Sequence, residues 1–566
     1  MSRYRGSLLP FILTTIVALA LLVSCGSSGT GSSTSTPSGG AGSGSAGGSG
    51  AGSNPNPGFR ASSIDVITYH YDNMRTGQNT SETFLTPANV NSTKFGKLGS
   101  FVVDGRVDAQ PLYLSNVTIP GVGVRNVLYV VTENGAVFAF DADSVNGNTT
   151  SPLWMKSTQL PGETASDDRG CGQVTPQIGV TSTPVIDRSR GVIYLVAVSK
   201  DSGGKYHHRL HALDLTTGNE MLGGPTAITA SYPGSGAGSS GGNVVFDPSQ
   251  YNERSGLLEV NGTIVTVWGS HCDIGAYTSW AMTFSAGTLQ QTGVLNLVPN
   301  GSDGGIWMAG GAPASDAAGS VYFIIGNGTF DTTLNAGFPA QGDCGNCFAK
   351  ISVPSIALLD YFTPRNTVML SDDDFDLGSG GPLLLPDLTD ANGTTRHLAV
   401  ASGKENASIY VVDRENMGKF NPSADAIYQE IPAGIGTGGE FGKPSYFNNT
   451  VYYGGVGDAL KAFPIANAKL AAAPSSRSSI QFAYPGTTPT ISANGAANGI
   501  VWAIENGSTG VLHAYDATNL GTELYNSNQA GNRDQFSDNK FVTPMVANGR
   551  VYVGTPNSVV VFGSLQ

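Results

Sequence analysis

The sequence predicts an all-β fold, because it combines a recurring strand–turn–strand unit, many glycines and few charges. The unit is a β-rich run, a Gly-containing turn, a second β-rich run and then a small or acidic residue. Clear copies begin at Val127, Val192, Leu398, Val501 and Val551. The chain of 566 residues has 77 glycines and only 13% charged residues, which is typical of many short strands joined by tight turns. Such repetition indicates one repeat architecture rather than several unrelated domains.

Each copy is predicted to begin with an inner strand introduced by Pro or Gly. Eight such starts occur along the chain, at 109–111, 182–185, 255–258, 311–313, 381–383, 442–445, 488–490 and 542–545. Four-stranded sheets repeated radially bury both faces and leave only short edges. We therefore expect an eight-bladed β-propeller of four-stranded antiparallel blades, with the third and fourth starts the least clearly marked.

The last copy has only three strands, and a spare segment elsewhere can supply the fourth. Residues 97–103 precede the first inner strand and have no partner in a copy of their own. We expect this N-terminal strand to close the last blade as its outer strand. A β-helix or a pair of sandwiches would explain neither the missing strand nor the spare one.

The N-terminal region has the order of a lipoprotein signal. Arg3 and Arg5 precede an apolar stretch over 8–23, which is short for a membrane helix and suits a signal peptide. The stretch ends at Cys25 in a sequence that resembles the bacterial lipobox, in which the Cys is lipidated; the alternative is an ordinary signal peptide with a chance Cys. We expect a lipoprotein signal peptide over 1–25, a flexible Gly/Ser-rich tether over 26–57 and the propeller over 58–566.

These segments predict a protein anchored by lipid to a bacterial membrane in the cell envelope, facing the periplasm or the surface. The formal net charge of -13 argues against nucleic acid as a partner, because binding to phosphates needs a basic surface.

Blade geometry predicts which polar residues meet. The loop leading into a blade and the turn between its second and third strands lie on the same face. The candidates on that face are Asp108, Gln110, Glu133, Cys171, His271, Cys272, Asp273, Trp307, Asn327, Asp343, Asp374, Lys404, Glu405, Glu440, Glu505 and Lys540. Around the axis of a propeller these residues would line a funnel, which we call the funnel face, and the funnel is a candidate binding site. The alternative is that they are only the polar surface that any propeller has at this place.

The repeats from about Asp65 to Phe562 resemble those of the quinoprotein alcohol dehydrogenase-like propellers, and the most specific part lies between Gly304 and Gly418. The Gly-Gly-Ile-Trp segment that ends at Trp307 is similar to a segment of that family whose Trp stacks on the quinone. The Gly-Asn pair ending at Asn327 is similar to one whose Asn ligates calcium.

Three further residues complete the resemblance. The Gly-Asp pair ending at Asp343 stands where the family has its catalytic base. The Gly-Lys pair ending at Lys404 resembles the strand start whose Lys or Arg touches the quinone carbonyls. Asp273 falls near the family's acidic calcium ligand.

The resemblance implies pyrroloquinoline quinone (PQQ) and Ca²⁺ as cofactors of a dehydrogenase that acts on an alcohol or a sugar. Trp307 and Lys404 would contact the quinone, Asn327, Asp273 and Asp343 would ligate the metal, and Asp343 would also be the catalytic base. In such chemistry the cation polarises a quinone carbonyl, the carboxylate accepts the alcohol proton and hydride moves to the quinone.

A second function remains open beside the first: a non-catalytic propeller lipoprotein that binds protein partners in the envelope. Propeller lipoproteins of outer-membrane protein assembly are a precedent. Catalytic quinoproteins have two adjacent cysteines beside the quinone, whereas Cys171 is followed by Gly172. The missing pair and the tether favour this alternative.

The remaining cysteines are candidates for disulfides. Cys344 and Cys347 form a C-x-x-C followed by Phe348 rather than His, so the motif favours a local disulfide over haem attachment. Cys171 and Cys272 belong to different blades but to the same predicted face. A disulfide across the funnel and two free thiols are both open for this pair.

Overall fold

The computed structural model describes residues 64–404 and 408–565. The expected signal peptide over 1–25, with its lipobox Cys25, and the expected tether over 26–57 lie outside the described residues. Within the described ranges, no helix has both the length and the apolar character needed to cross a membrane.

The all-β prediction is confirmed, because strands dominate the described chain. Its helical elements are one short α-helix, Thr367–Asp372, and three 3₁₀ turns, Met308–Gly310, Leu377–Ser379 and Ser527–Arg533. The strands themselves are rich in β-branched and aromatic residues, which pack well on a pleated surface.

Most strands fall into eight four-stranded antiparallel sheets, which we number in chain order. The strands of sheets 1 to 4, in hydrogen-bonded order, are Leu112–Ile119, Gly123–Val131, Ala136–Asp141 and Trp154–Ser157; Val185–Asp187, Val192–Asp201, Tyr206–Asp214 and Thr226–Ala227; Leu258–Val260, Thr263–Ser270, Trp280–Ser285 and Gln291–Asn296; and Ala314–Ser315, Val321–Ile324, Phe348–Ser352 and Ala357–Phe362.

Sheets 5 to 8 follow the same pattern. Their strands are Leu383–Leu384, Leu398–Ala401, Ile409–Asp413 and Gln429–Ile431; Ser445–Phe447, Thr450–Tyr453, Asp458–Ala466 and Ser476–Phe482; Thr490–Asn494, Ala497–Glu505, Val511–Asp516 and Glu523–Asn526; and Met545–Ala547, Arg550–Gly554, Ser558–Ser564 and Phe95–Val102. Each of the eight starts identified in the sequence overlaps or directly precedes the first strand of one sheet.

Short strands supplement these sheets. They are Gln78–Asn79 on sheet 7, Glu163–Asp167 and Gln177–Ile178 on sheet 2, Tyr251–Asn252 on sheet 3, Gly147–Thr149 on sheet 8, Lys469–Leu470 on sheet 6, and the separate pairings of Ser231–Pro233, Ser239–Ser240 and Asn243–Val245, of Leu334–Asn335 with Phe338–Pro339, and of Leu388–Thr389 with Thr395–Arg396.

The fourth strand of sheet 8 comes from the N-terminal part of the chain. Phe95–Val102 pairs antiparallel with Ser558–Ser564, in a register that runs from Phe95 opposite Ser564 to Val102 opposite Ser558. The spare segment recognised in the sequence, 97–103, overlaps this strand. Its unpaired backbone groups and those of the C-terminal strand thereby satisfy each other.

The hydrophobic core lies between consecutive sheets. Trp268 and Trp280 are fully buried in a cluster that joins sheets 2 and 3, and Trp502 is fully buried between sheets 7 and 8. One cluster contains residues of sheets 8, 1 and 2, including Tyr552 and Leu112. Sheet 8 therefore packs against sheet 1 as well as against sheet 7.

A segment at the start of the described chain, 65–82, lies against the first strand of every sheet, and we call it the central segment. Its hydrogen bonds to sheets 1 to 8, in order, are Val66 N to Tyr113 O at 2.8 Å, Ile186 N to Ile67 O at 2.8 Å, Asn73 Nδ2 to Glu259 O at 2.9 Å, Ser315 N to Asn73 O at 2.7 Å, Leu384 N to Met74 O at 3.0 Å, Tyr446 N to Thr76 O at 2.8 Å, Ile491 N to Gly77 O at 2.8 Å and Val546 N to Tyr71 Oη at 2.7 Å.

Two buried cations fix the place where this segment meets the sheets. Arg75 is fully buried, and its guanidinium donates to Pro313 O at 2.7 Å, Thr68 Oγ1 at 2.7 Å and Tyr69 O at 2.8 Å. Lys443 is also fully buried and donates to the carbonyls of Ala312 at 2.6 Å and Pro382 at 2.7 Å. Burial holds the pKa of Lys443 well below its usual value.

Candidate functional site

The loops at one end of the first strands enclose a cavity of about 300 Å³. We call the loop before a sheet its lead-in loop and the connection between its second and third strands its inner turn. The cavity is lined by residues from the lead-in loops of sheets 2 to 8 and from the inner turns of sheets 3, 4 and 5, namely Asp168, Cys171, Gln173, Val174, Ile178, Asn252, Arg254, Ser270, His271, Cys272, Asp273, Tyr277, Gly305, Trp307, Asn327, Asp374, Lys404, Phe441, Tyr484 and Phe541.

Half of the residues that the sequence placed on the funnel face line this cavity. They are Cys171, His271, Cys272, Asp273, Trp307, Asn327, Asp374 and Lys404. The lining does not include Asp108, Gln110, Glu133, Asp343, Glu440, Glu505 or Lys540, and Glu405 lies outside the described residues. The predicted geometry of lead-in loops and inner turns therefore located the cavity correctly but identified only part of its lining residues.

Four aromatic side chains form a continuous wall, which we call the aromatic wall. Trp307, Phe441, Tyr484 and Phe541 come from the lead-in loops of sheets 4, 6, 7 and 8. Their ring centroids follow one another at 6.0, 5.3 and 5.8 Å. Such a surface favours a planar or apolar ligand face, since aromatic rings prefer stacked and edge-to-face contacts.

Lys404 is held beside this wall by two carboxylates. Its Nζ lies 2.8 Å from Asp374 Oδ1 and 2.7 Å from Asp376 Oδ1, and 6.0 Å from the Trp307 ring centroid. Burial alone would lower the pKa of Lys404, but Asp376 and Asp374 outweigh it and raise that pKa above its usual value. Asn327 also donates to Asp374 Oδ1, at 3.2 Å, so Asp374, Lys404 and Asn327 form one network.

Asp273 is engaged by its own inner turn. The Tyr277 hydroxyl and the Ser270 hydroxyl both donate to Asp273 Oδ1. Burial raises the pKa of Tyr277 well above its usual value, and the neighbouring charge of Asp273 acts in the same direction. Tyr277 is therefore a permanent hydrogen-bond donor at neutral pH.

Arg254 differs from Lys404, which also lines the cavity, because among the described residues it has no partner of opposite charge. Its side chain is half-buried, and Cζ lies 5.4 Å from the Phe541 ring centroid. Within the described part of the chain, Arg254 takes part in no hydrogen bond and no ion pair. A half-buried guanidinium beside an aromatic ring is a ready site for a carboxylate or carbonyl of a ligand.

The four candidate cysteines form two disulfides in different environments. Cys171 is bonded to Cys272, with a Cα–Cα distance of 5.4 Å, and both residues line the cavity. Cys344 is bonded to Cys347, with a Cα–Cα distance of 5.6 Å, and both are fully buried in the core of sheet 4.

Asp343 lies apart from the other residues that the resemblance singled out. Its Oδ1 accepts a hydrogen bond from the Asn300 backbone N–H at 2.8 Å, and the residue is buried but does not line the cavity. Burial raises the pKa of Asp343, while the N–H groups of Asn300 and Gly301 oppose that shift. The structure thus gathers Trp307, Asn327, Asp273 and Lys404 and places Asp343 under a neighbouring loop.

The cavity fits one of the two expected cofactors better than the other. Trp307 and Arg254 suit the ring face and a carboxylate of PQQ. Calcium needs several free oxygen ligands, whereas Asp374 is neutralised by Lys404 and Asp273 accepts from Tyr277. No group of three or more His, Cys, Asp or Glu side chains suited to a metal occurs among the described residues. The residues present therefore do not fit a calcium site.

The sequence reasoning missed Arg254, Tyr277, Phe441, Tyr484 and Phe541. A signal existed for two of them, because Phe441 and Phe541 each stand three residues before the Pro of a predicted inner strand. Aligning the seven starts that contain a proline would have placed these two rings at equivalent positions. Tyr277 offers no comparable signal, since its role depends on the fold of one inner turn.

No protein-family model matches the sequence. No curated protein matches it.

Several solved structures match the chain at low sequence identity. A europium-containing methanol dehydrogenase is 13% identical, with 87% of this chain and 81% of that chain covered and a TM-score of 0.47. BamB from Moraxella catarrhalis is 12% identical, with 83% and 97% covered and a TM-score of 0.44. Sqt1 from Saccharomyces cerevisiae is 10% identical, with 83% and 99% covered and a TM-score of 0.41. At these values the likenesses carry no functional conclusion.

Proposed function

We propose that the eight sheets are the blades of a closed, PQQ-like β-propeller, and that its central cavity binds a planar aromatic carboxylate of the PQQ type without calcium. Two observations support the ring. The central segment, which can span at most about 60 Å when extended, hydrogen-bonds to the first strand of all eight sheets. Sheet 8 also shares a hydrophobic cluster with sheet 1.

The observation that carries the ligand proposal is the unpaired Arg254 at one end of the aromatic wall. The other charges that line the cavity close to this wall are compensated, since Lys404 is paired with Asp374 and Asp376. A bound carboxylate would give Arg254 the partner of opposite charge that residues 64–404 and 408–565 do not supply. The ligand ring would lie against Trp307. The Lys404 ammonium, held by Asp374 and Asp376, would have one N–H donor left for a carbonyl at the edge of that ring.

We do not extend this proposal to the oxidation of an alcohol or a sugar. That reaction needs a base within hydrogen-bond reach of the substrate hydroxyl, and Asp343 is bonded to Asn300 outside the cavity. A quinone bound here supplies redox chemistry of its own, whereas these residues bind and orient it and exclude water.

Calorimetric titration of the full-length chain with PQQ tests the proposal, in one arm with EDTA and in another with CaCl₂. We expect the same Kd in both arms. Arg254→Met should weaken binding about 10- to 100-fold, because a charge-assisted hydrogen bond contributes about 1.5–3 kcal/mol. Trp307→Leu should weaken it as well.

Arg169→Met is the matched control, since Arg169 lies near the cavity but already binds the Ser249 carbonyl and the Tyr206 ring. It should leave the Kd within about twofold. Binding that requires calcium would refute the metal-free site, and the absence of heat in both arms would refute the ligand class.

A second candidate function is the docking of another protein. Val368 and Met369 on the short α-helix are 49% exposed, and Phe375 nearby is 45% exposed. These apolar side chains lie in the lead-in loop that also carries Asp374. Replacing Val368 and Met369 with Ser should leave the PQQ affinity unchanged, while a docking function would be lost.

We also propose that the chain is a lipoprotein of the bacterial envelope, anchored through Cys25. The support is the order of charge, apolar run, small residue and Cys in the sequence. Cys25→Ser should move the protein from the membrane fraction to the soluble fraction, and unchanged fractionation would refute the anchor.

A further inference from the structure

The disulfide between Cys171 and Cys272 joins two loops that together make about half of the cavity lining. Cys171 belongs to the lead-in loop of sheet 2 and Cys272 to the inner turn of sheet 3, 101 residues later. The first loop contributes Asp168, Cys171, Gln173, Val174 and Ile178 to the lining, and the second contributes Ser270, His271, Cys272, Asp273 and Tyr277.

The two disulfides of the described chain differ in their accessibility. Cys272 is exposed and Cys171 is half-buried, whereas Cys344 and Cys347 are both 0% exposed. Thiol–disulfide exchange requires a thiolate to reach a sulfur, so its rate depends on access. The buried disulfide is therefore an internal control for the exposed one.

The inner turn around Cys272 has an unusual backbone. Cys272 and Asp273 have φ values of 52° and 54°, in the left-handed region that non-glycine residues adopt at a cost. Two consecutive residues in this region persist only where the surroundings hold them. The disulfide to Cys171 is the covalent part of that restraint.

We propose that Cys171–Cys272 is a reactive disulfide and that its reduction opens the wall of the ligand cavity. A thiolate attacks the exposed Cys272 Sγ, forms a mixed disulfide there and expels the Cys171 thiolate. The reductant is a dithiol. Its second thiolate then attacks the reductant sulfur that is bonded to Cys272 Sγ, closes a disulfide within the reductant and expels the Cys272 thiolate. The dithiol is oxidised to a disulfide, and the two cysteines gain two electrons and take up two protons.

The test is native-state reduction of the full-length chain with dithiothreitol, quenching with N-ethylmaleimide and mass mapping of the labelled peptides. We expect Cys171 and Cys272 to be labelled at least tenfold faster than Cys344 and Cys347. Equal rates, or no labelling at Cys171 and Cys272 before denaturation, would overturn the proposal.

The effect of reduction on ligand binding rests on the proposed function, whereas the labelling result does not. Reduced protein should bind PQQ at least fivefold more weakly, and reoxidation should restore the affinity. A Cys344→Ser, Cys347→Ser variant should show the same loss on reduction. Selective labelling without a change in affinity would leave the reactive disulfide and refute its control of the cavity, and absence of PQQ binding in the oxidised protein would refute the proposed ligand alone.

Discussion

Arg75 and Arg254 illustrate two uses of the same side chain. Arg75, in the central segment, is fully buried and donates to two backbone carbonyls and a hydroxyl at 2.8 Å or less. Arg254, in the cavity, is half-buried and contacts the Phe541 ring. The fold uses most hydrogen bonds of the first cation, whereas the second has no hydrogen bond within the described chain and is the one to which we assign a ligand. Charge alone therefore does not identify a functional residue.

The largest expected effect is on stability, from Arg75→Met. This change leaves the Pro313 and Tyr69 carbonyls without their donor in a buried site, and each such group costs about 1–3 kcal/mol. We expect the free energy of unfolding to fall by about 3–5 kcal/mol in urea denaturation. Arg254→Met should lower the free energy of unfolding by less than about 1 kcal/mol. Equal losses in the two variants would show that the two arginines do not differ in their contribution to stability.

The buried carboxyl group of Glu440 gives a second test, through the pH dependence of stability. Both carboxylate oxygens of Glu440 lack a hydrogen-bond partner within the described chain, and burial, with the charge of Asp458, raises the pKa of Glu440 to about 8. The folded state then holds a proton that the unfolded state has lost, so stability falls as the pH rises from the ordinary Glu value towards 8. Glu440→Gln should be more stable than the native chain at pH 8 by a few kcal/mol and about equal to it at pH 4.

Thermal unfolding of the two chains across that pH range measures the difference. Asp458→Asn is a useful companion variant, because it removes the neighbouring charge and should lower the pKa of Glu440. A constant difference between the native chain and Glu440→Gln from pH 4 to 8 would show that folding does not shift the pKa of Glu440.

The smallest expected effect is that of Asp343→Asn. The Asn side-chain oxygen can still accept the hydrogen bond from the Asn300 N–H, so the loop should keep its shape and the free energy of unfolding should change by less than about 1 kcal/mol. PQQ affinity should stay within about twofold in the calorimetric titration, because Asp343 does not line the cavity. A large loss of affinity would show that Asp343 contributes to the binding site, as the resemblance implies.

Much of the architecture could be read from the sequence, because strand periodicity and turn residues are local properties. The eight starts correspond to the first strands of eight sheets, and residues 97–103 overlap the strand that pairs with Ser558–Ser564. The site could be read only in part. Trp307 and Lys404 were found through their motifs, whereas Arg254 and Phe541 belong to different repeats and become neighbours only after the sheets assemble.

Two polar residues show why the sequence did not predict the remaining contacts of the site. Asp343 follows a Gly, as the catalytic base does in the family that the repeats resemble. In the structure, however, its carboxylate accepts a hydrogen bond from the Asn300 N–H. The resemblance implies that Lys404 contacts a quinone, and the structure adds that Asp374 and Asp376 are its partners within the described chain. Residue type predicts what a side chain can bind, but which partner reaches it first depends on loops that are distant in sequence.

The sequence by itself determined the all-β class and the starts of the first strands of the sheets, because these follow from hydrophobic alternation and the spacing of turns. The tertiary structure decided which residues enclose the cavity, which two of the cysteines that line it pair, and which of its basic side chains has no partner of opposite charge within the described residues. Those outcomes depend on angstrom-scale competition among side chains from seven lead-in loops, and no local pattern encodes that competition.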